Sequence, residues 1–235
     1  MSTQPRTSKG RQTRERLLDT ALECFASEGY KAASMRVIAS KAGVSLSHAY
    51  YYFGSKEDIL AQLLLSLRQQ QYEQALPAFD EGNTLESNIR SVFNAALETM
   101  TPYHDFGPAF LKVLLSQSAA NDQIAALELS LWEQAVASAR PLPPLNIRRD
   151  LPRFLWLLSR QLLSSWAYDQ SDGQRRSRRL LKSTAPVVAK FAVLCRLPVV
   201  RSLFTDVLSL MDQAAEAQQD QAGAQQAVWQ DRKAS

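Results

Sequence analysis

Apolar side chains recur at spacings of three and four along most of the chain, and no run alternates apolar and polar residues with period two between turn residues. The pattern predicts an all-α fold. A first helix is expected from about Arg11 to Ser27, with Leu18, Ala21, Leu22 and Phe25 on one face and Gly29 as its left-handed stop. Ser34 is placed to cap a short helix, Met35 to Ala42, that buries Ile38 and Ala39 and ends at Gly43. Ser45 caps the next helix after only Gly43 and Val44, and Ser55 caps another after Gly54. Longer helices are expected at roughly 56–78, 84–101, 104–119, 121–138, 150–170, 174–195 and 199–217, punctuated by Pro77, Pro102, the Pro141/Pro143/Pro144 cluster, Gly173 and Pro198. The implied organisation is a disordered arm over 1–10, a compact turn-rich module over 11–56, a larger helical body over 57–217 and a disordered Ala/Gln-rich tail over 218–235.

Within the module, the segment SMRVIASKAGVSLSHAYYYFGSK (Ser34–Lys56) reads as helix, tight glycine turn, second helix. Ile38, Ala39, Val44, Ala49 and Phe53 form its small core, and small Ala39 and Ala49 let two helices cross closely. Leu46, Ser47, His48, Tyr50 and Tyr51 cannot all enter so small a core, so they make an outward face. A helix presented this way can meet base edges in a major groove while tyrosine hydroxyls and N-terminal amides grip phosphates. Ser55 to Asp58 resembles a capping box, which sets the Lys56 ammonium beside free amides as a phosphate clamp. Tyr52 and Phe53 are read as core.

Charge strengthens this reading. Residues 1–56 hold nine Lys/Arg against four Asp/Glu, a balance of +5, whereas the remainder holds 18 against 19, a balance of −1. All of the +4 net charge therefore lies at one end, the footprint of docking on a polyanion. Composition is that of an ordinary globular protein, 46% hydrophobic and 21% charged. No apolar stretch is long enough to span a bilayer and no signal sequence opens the chain, so a soluble, cytoplasmic protein is expected. Cys24 and Cys195 have neither metal nor redox spacing and are expected as free core thiols. With two histidines, no glycine-rich phosphate loop and no nucleophile elbow, an enzyme is not expected, and neither is a metal or cofactor.

The stretches ERLLDTALECFASEGY (Glu15–Tyr30), SMRVIA (Ser34–Ala39), AGVS (Ala42–Ser45) and YYYFGSKE (Tyr50–Glu57) closely resemble the DNA-binding head of TetR-family transcriptional regulators, nearly without gaps over residues 11–60, about a fifth of the chain. The resemblance implies that Arg36, Ser45, Ser47, His48, Tyr50, Tyr51 and Lys56 contact double-stranded DNA, with Tyr50 and Lys56 on phosphates. Leu46 joins this face, although it stands where the family often has Lys or another polar residue, and Gly54 stands where many members have Pro. A leucine can touch a thymine methyl, so the operator does not carry over from relatives.

The resemblance further implies a repressor with a helical body that dimerises through its last two long helices and holds a small effector among the others. The helix at 150–170, with Leu151, Phe154, Leu155, Leu157, Leu158, Leu162, Leu163 and Trp166, carries more apolar surface than one internal face needs, and the helix at 174–195 adds Leu180, Leu181, Val187, Val188, Phe191 and Leu194. These two helices are the expected homodimer interface; burial inside a monomer is the alternative. For the effector pocket, Phe93, Tyr103, His104, Phe106, Phe110, Trp132, Trp156 and Trp166 supply apolar walls with a few polar tips, which points to a lipophilic or aromatic ligand. Arg175, Arg176, Arg178 and Arg179 open a helix against its dipole and are expected to be solvated or answered by Asp169 and Asp172. The competing reading is an architectural DNA-binding protein of the same fold with a filled body and no ligand.

Overall fold

The computed structural model describes residues 8–79, 83–116 and 118–234. The described residues are helical throughout their regular structure, without a strand among them, and the chain divides into two compact units, Met1–Leu64 and Leu65–Ser235. Among the described residues no helix is long and apolar enough to cross a membrane.

The first unit holds α1 (Ser8–Glu28), α2 (Met35–Lys41), α3 (Leu46–Tyr52) and the opening turns of α4 (Lys56–Ala75). α1 begins three residues before the expected start, so residues 8–10 of the expected arm are helical; residues 1–7 lie outside the described residues. Its buried stripe is Leu17, Ala21, Cys24 and Phe25, with Leu18 and Leu22 only half-buried. Three-and-four spacing fits either stripe, and packing against α2 selects the one centred a residue earlier. Each serine cap forms: Ser34 Oγ accepts from Val37 N at 3.3 Å, Ser45 Oγ from His48 N at 3.2 Å and Ser55 Oγ from Asp58 N at 3.1 Å. The turn between α2 and α3 closes with Val44 N donating to Ala39 O at 3.0 Å across Gly43, whose φ of +67° is open to glycine at no steric cost.

In the second unit α4 continues into α5 (Leu85–Met100), α6 (Gly107–Leu115), α7 (Ala119–Ala137), a short α8 (Leu145–Arg148), α9 (Leu151–Ala167), α10 (Arg175–Leu194) and α11 (Pro198–Ala234). α5 packs on α7 and α10, and α9 on α6, α7 and α10. Ile89, Trp132, Ala135, Leu155, Ala185 and Cys195 lie in their shared core. Asn88, fully buried on α5, ties it to α7 by donating to Ala135 O at 2.8 Å and Ser138 Oγ at 3.0 Å. Both cysteines are buried and free.

Three expectations change here. The helix expected over 104–119 is confined to 107–115. Pro102 opens a 3-10 segment, Thr101–Phe106, and Pro108 tolerates only a helix's first turn, while Ser118 caps the following helix through Asn121 N at 3.2 Å. The entry to α6 also needs Gly107, because a Cβ there would sit 2.8 Å from the Ala167 Cα. The expected disordered tail is drawn into α11 as far as Ala234, since its alanines and glutamines are strong helix formers with no proline among them. Finally, α9 spends its apolar side chains inside the unit: Leu151, Phe154, Leu155, Leu157, Leu162, Leu163 and Trp166 are all buried, while Arg153 and Gln161 face solvent. The unpartnered apolar residues lie on α10 and α11 instead, with Val187 65% and Val199 82% exposed.

Candidate nucleic-acid interface and body cleft

α3 has seven residues and two unlike sides. Ala49 and Tyr52, with Phe53 just after the helix, are buried, which confirms Tyr52 and Phe53 as core. Ser47, His48, Tyr50 and Tyr51 are exposed on the opposite side, and Leu46 is half-buried at its edge. Tyr50 and Tyr51 remain 48% and 55% exposed, unusual for side chains of that size. Their phenols are free to donate outward. The rings are nevertheless ordered: His48 stacks obliquely on Tyr52 at 5.1 Å, and Tyr51 meets Tyr52 edge-on at 5.1 Å. Ser45 Oγ, besides capping α3, lies 3.1 Å from Ser47 Oγ. Arg36 projects from α2 into solvent.

Lys56 is placed differently from the expected clamp. Its ammonium turns inward, donating to Tyr30 O at 2.8 Å and Ala33 O at 3.3 Å and lying 4.4 Å from the centre of the Tyr30 ring. Two of its three donors are thus engaged in tying the loop after α1 to the start of α4, leaving one. The same corner is completed by Tyr30, whose hydroxyl donates to Glu57 Oε1 at 3.1 Å; burial, then the Glu57 charge and hydrogen bond, push the phenol's pKa well above its ordinary value. Lys41 pairs with Glu28 at 2.6 Å.

The second unit contains a cleft enclosing about 660 Å³ of atom-free space, its open mouth included. Phe93, Trp132 and Trp166, three of the eight expected pocket residues, line it. The other five do not. Phe106 and Phe110 pack in the core at 6.2 Å ring separation, and Tyr103 rests against Phe106. His104 supports the wall from behind, with Nε2 2.8 Å from Trp166 O and its ring edge-on to the Trp166 indole at 4.9 Å. Trp156 acts through a neighbour, donating from Nε1 to Glu128 Oε2 at 2.9 Å. Most of the aromatics chosen from the sequence fill helix junctions instead of lining this cleft.

The lining also carries charge that aromatic content did not foreshadow: Arg68 on α4, Glu128 on α7 and Arg160 on α9. Arg68 Nε stands 2.8 Å from Glu128 Oε1, both side chains nearly fully buried; the separation makes it an ion pair, although the N–H is not aimed at that oxygen. Arg68 Nη1 donates to Gln71 Oε1 at 2.7 Å, and Gln71 Nε2 to Val92 O at 3.2 Å. Arg160 lies over the Trp156 ring at 5.0 Å and donates from Nη2 to Leu114 O and, at 3.3 Å, to Asn121 Oδ1. Burial lowers its pKa most, Glu128 opposes that and Arg68 adds to it. The sequence signal was available: Arg68 and Gln71 interrupt the stripe Leu60, Leu64, Leu67, Ala75, and Glu128 interrupts Ile124, Leu131, Ala135. Charges in phase with a buried stripe are the unusual feature, since Arg and Glu are almost never fully buried unless paired.

The four arginines at the start of α10 are exposed to solvent, one of the two expected arrangements, and Asp169 spends its carboxylate on serines instead. The buried Asp169 carboxylate accepts from Ser177 N at 2.8 Å, Ser177 Oγ at 2.7 Å, Ser171 N at 3.0 Å and Ser171 Oγ at 2.6 Å, and these bonds hold its pKa well below the usual carboxylate range. Asp172 adds a loose, solvent-exposed pair with Arg175 at 3.8 Å.

Residues 17–63 match the family model of bacterial regulatory proteins of the tetR family. Over 66 residues the chain is 38% identical to the HTH-type transcriptional regulator TtgW of Pseudomonas putida, covering 28% of this chain and 48% of that protein. It is 28% identical over 125 residues to the HTH-type transcriptional regulator UidR of Escherichia coli, covering 51% and 59%. The chain thus spans less than two thirds of either relative. Among solved structures, a TetR-family regulator from Syntrophomonas wolfei aligns at TM-score 0.55 and 18% identity over 76% of this chain and 95% of that one. The regulator FadR of Bacillus subtilis, solved in complex with stearoyl-CoA, aligns at 0.52 and 19% over 76% and 97%. These two likenesses establish the fold.

Proposed function

The chain belongs to the TetR family of bacterial regulatory proteins, and from that premise we propose that it is a cytoplasmic, homodimeric transcriptional repressor that binds a partly palindromic operator and releases it when a small molecule enters the body. The observation that carries the reading is the two-sided α3. Its inner residues build the core of the first unit, which frees Ser47, His48, Tyr50 and Tyr51 to present a polar, aromatic face of groove-filling size. Arg36 and Ser45 flank that face, and Leu46 offers an apolar edge to a thymine methyl. Lys56 contributes chiefly by fixing the corner on which α3 and α4 are oriented, with one N–H left for a phosphate.

Dimerisation suits this reading because one small head binds DNA weakly, and a two-fold dimer matches a palindromic site. The surface that supports it is α10, where Leu180, Val187 and Leu194 are exposed at intervals of seven, the seam of a helix pair, together with Leu203 and Leu210 on α11. The effector acts by binding one spacing of the two heads more tightly than the other. The architectural alternative calls for a filled body, and the cleft of the second unit speaks against it. DNase footprinting of DNA flanking the protein's own gene tests the proposal: protection of two half-sites about one helical turn apart is expected, whereas uniform protection of any DNA favours the architectural reading.

A further inference from the structure

The body cleft is mostly apolar but carries three charges, Arg68 and Glu128 buried and Arg160 partly buried, and they do not cancel. Arg68 is matched by Glu128, while Arg160 has no carboxylate within ion-pairing distance among the described residues. One of its nitrogens is spent on the neutral groups of Leu114 and Asn121, and its face rests on Trp156, so the planar guanidinium is held in place without being neutralised. Even partial burial of an unneutralised cation is costly, and proteins retain one where an anion completes it. A second observation has the same sign. Trp166 lines the cleft at 2% exposure, and its Nε1–H has no hydrogen-bond partner. The wall's unspent polar capacity therefore includes a guanidinium and an orphaned N–H donor, against a lining that is mainly apolar, with Gln71 and Ser159 its neutral polar members.

We propose that the effector is a lipophilic carboxylic acid bound as its carboxylate, the head group paired with Arg160 and the hydrocarbon lying along Phe93, Leu131 and Leu163. Arg fits this task because its fork of donors matches the two oxygens of a carboxylate. Glu128 sets the selectivity: it neutralises Arg68 and leaves a single positive charge, so a monoanion balances the cleft and a cation meets repulsion from Arg160. The inference rests on the effector reading above and sharpens it to one chemical class.

The test uses the full chain at pH 7.5 and three probes that share a ten-carbon tail, sodium decanoate, decanol and decyltrimethylammonium, each below its micelle concentration. Thermal stabilisation and quenching of tryptophan fluorescence, with Trp132 and Trp166 in the wall, report binding. Decanoate is expected to bind about ten-fold or more tighter than decanol, and the cation more weakly than either. Arg160→Met should erase the advantage of decanoate and leave decanol binding in place. Glu128→Gln, checked for folding by circular dichroism, should enlarge it. Equal binding of decanoate and decanol, preference for the cation, no binding by any probe, or an unchanged preference in Arg160→Met overturns the proposal. Binding of decanol alone with release of DNA would overturn it while sparing the effector reading. Binding of decanoate without any effect on DNA would leave a carboxylate site on Arg160 but overturn the effector reading, and with it the claim that this ligand is the effector.

Discussion

The first unit keeps the polar groups proposed to read DNA outside a well-packed core, and the second keeps those proposed to hold the effector within one or at its edge. Ser47, His48, Tyr50 and Tyr51 are presented to solvent by a helix whose opposite side is fully buried. Arg68 and Glu128 occupy positions that helical periodicity reserves for apolar residues, and Arg160 lies partly buried on the same cleft. The two arrangements suit two kinds of partner. DNA is larger than a protein face that reads it and comes to the surface, so the residues proposed to read it cost the fold little. A small molecule must be surrounded, so the groups proposed to recognise it sit in the body, where the fold depends on them.

The largest expected effect follows from that dependence. Arg68→Ala leaves Glu128 buried without its partner and should cost about 3–5 kcal/mol in urea unfolding, while replacing both residues together by apolar ones should restore most of the loss. If the single variant is as stable as the parent, the pair is solvated and the contrast between the units fails. Next in size is Lys56→Ala in the first unit, expected to cost about 1–3 kcal/mol because two carbonyl contacts and a cation–π contact are lost. A variant that loses DNA affinity with unchanged stability would return Lys56 to the role of a simple phosphate clamp.

Asp169→Asn is expected to cost about 1–2 kcal/mol near neutral pH, since the carboxylate accepts from Ser177 N and Oγ at the first turn of α10. Its pKa is depressed in the folded state from an ordinary value of 3.8, so its stabilisation is fully present above that value and is lost as pH falls below about 4. The variant's melting temperature should accordingly vary less between pH 5 and pH 3 than the parent's. The smallest effect on stability belongs to the outer face: Tyr50→Phe and Tyr51→Phe should change unfolding by no more than about 0.5 kcal/mol.

The same contrast explains what could be read from the sequence. Serines 34, 45 and 55 and Gly29 and Gly43 mark helix ends by local chemistry, so the first unit's elements and its exposed face are legible residue by residue. Local signals did not reveal that Lys56 turns inward, because the carbonyls of Tyr30 and Ala33 come to it through tertiary packing. In the body, prolines punctuate the helices well, but the partner of each apolar stripe is set by non-local contacts. Hence α9 could be taken for an outward interface when it lies inside, and Trp156 for a pocket wall when it stands behind Glu128.

Whether the outer face of α3 reads DNA can be decided by fluorescence anisotropy of the full chain on DNA flanking its own gene, at rising salt, for the parent and the Tyr50→Phe, Tyr51→Phe double variant. Tight site-specific binding that weakens steeply with salt, and falls about ten-fold or more in a double variant of unchanged stability, is the predicted result. Equal affinity for random DNA, or a double variant that binds the site as tightly as the parent, would contradict it.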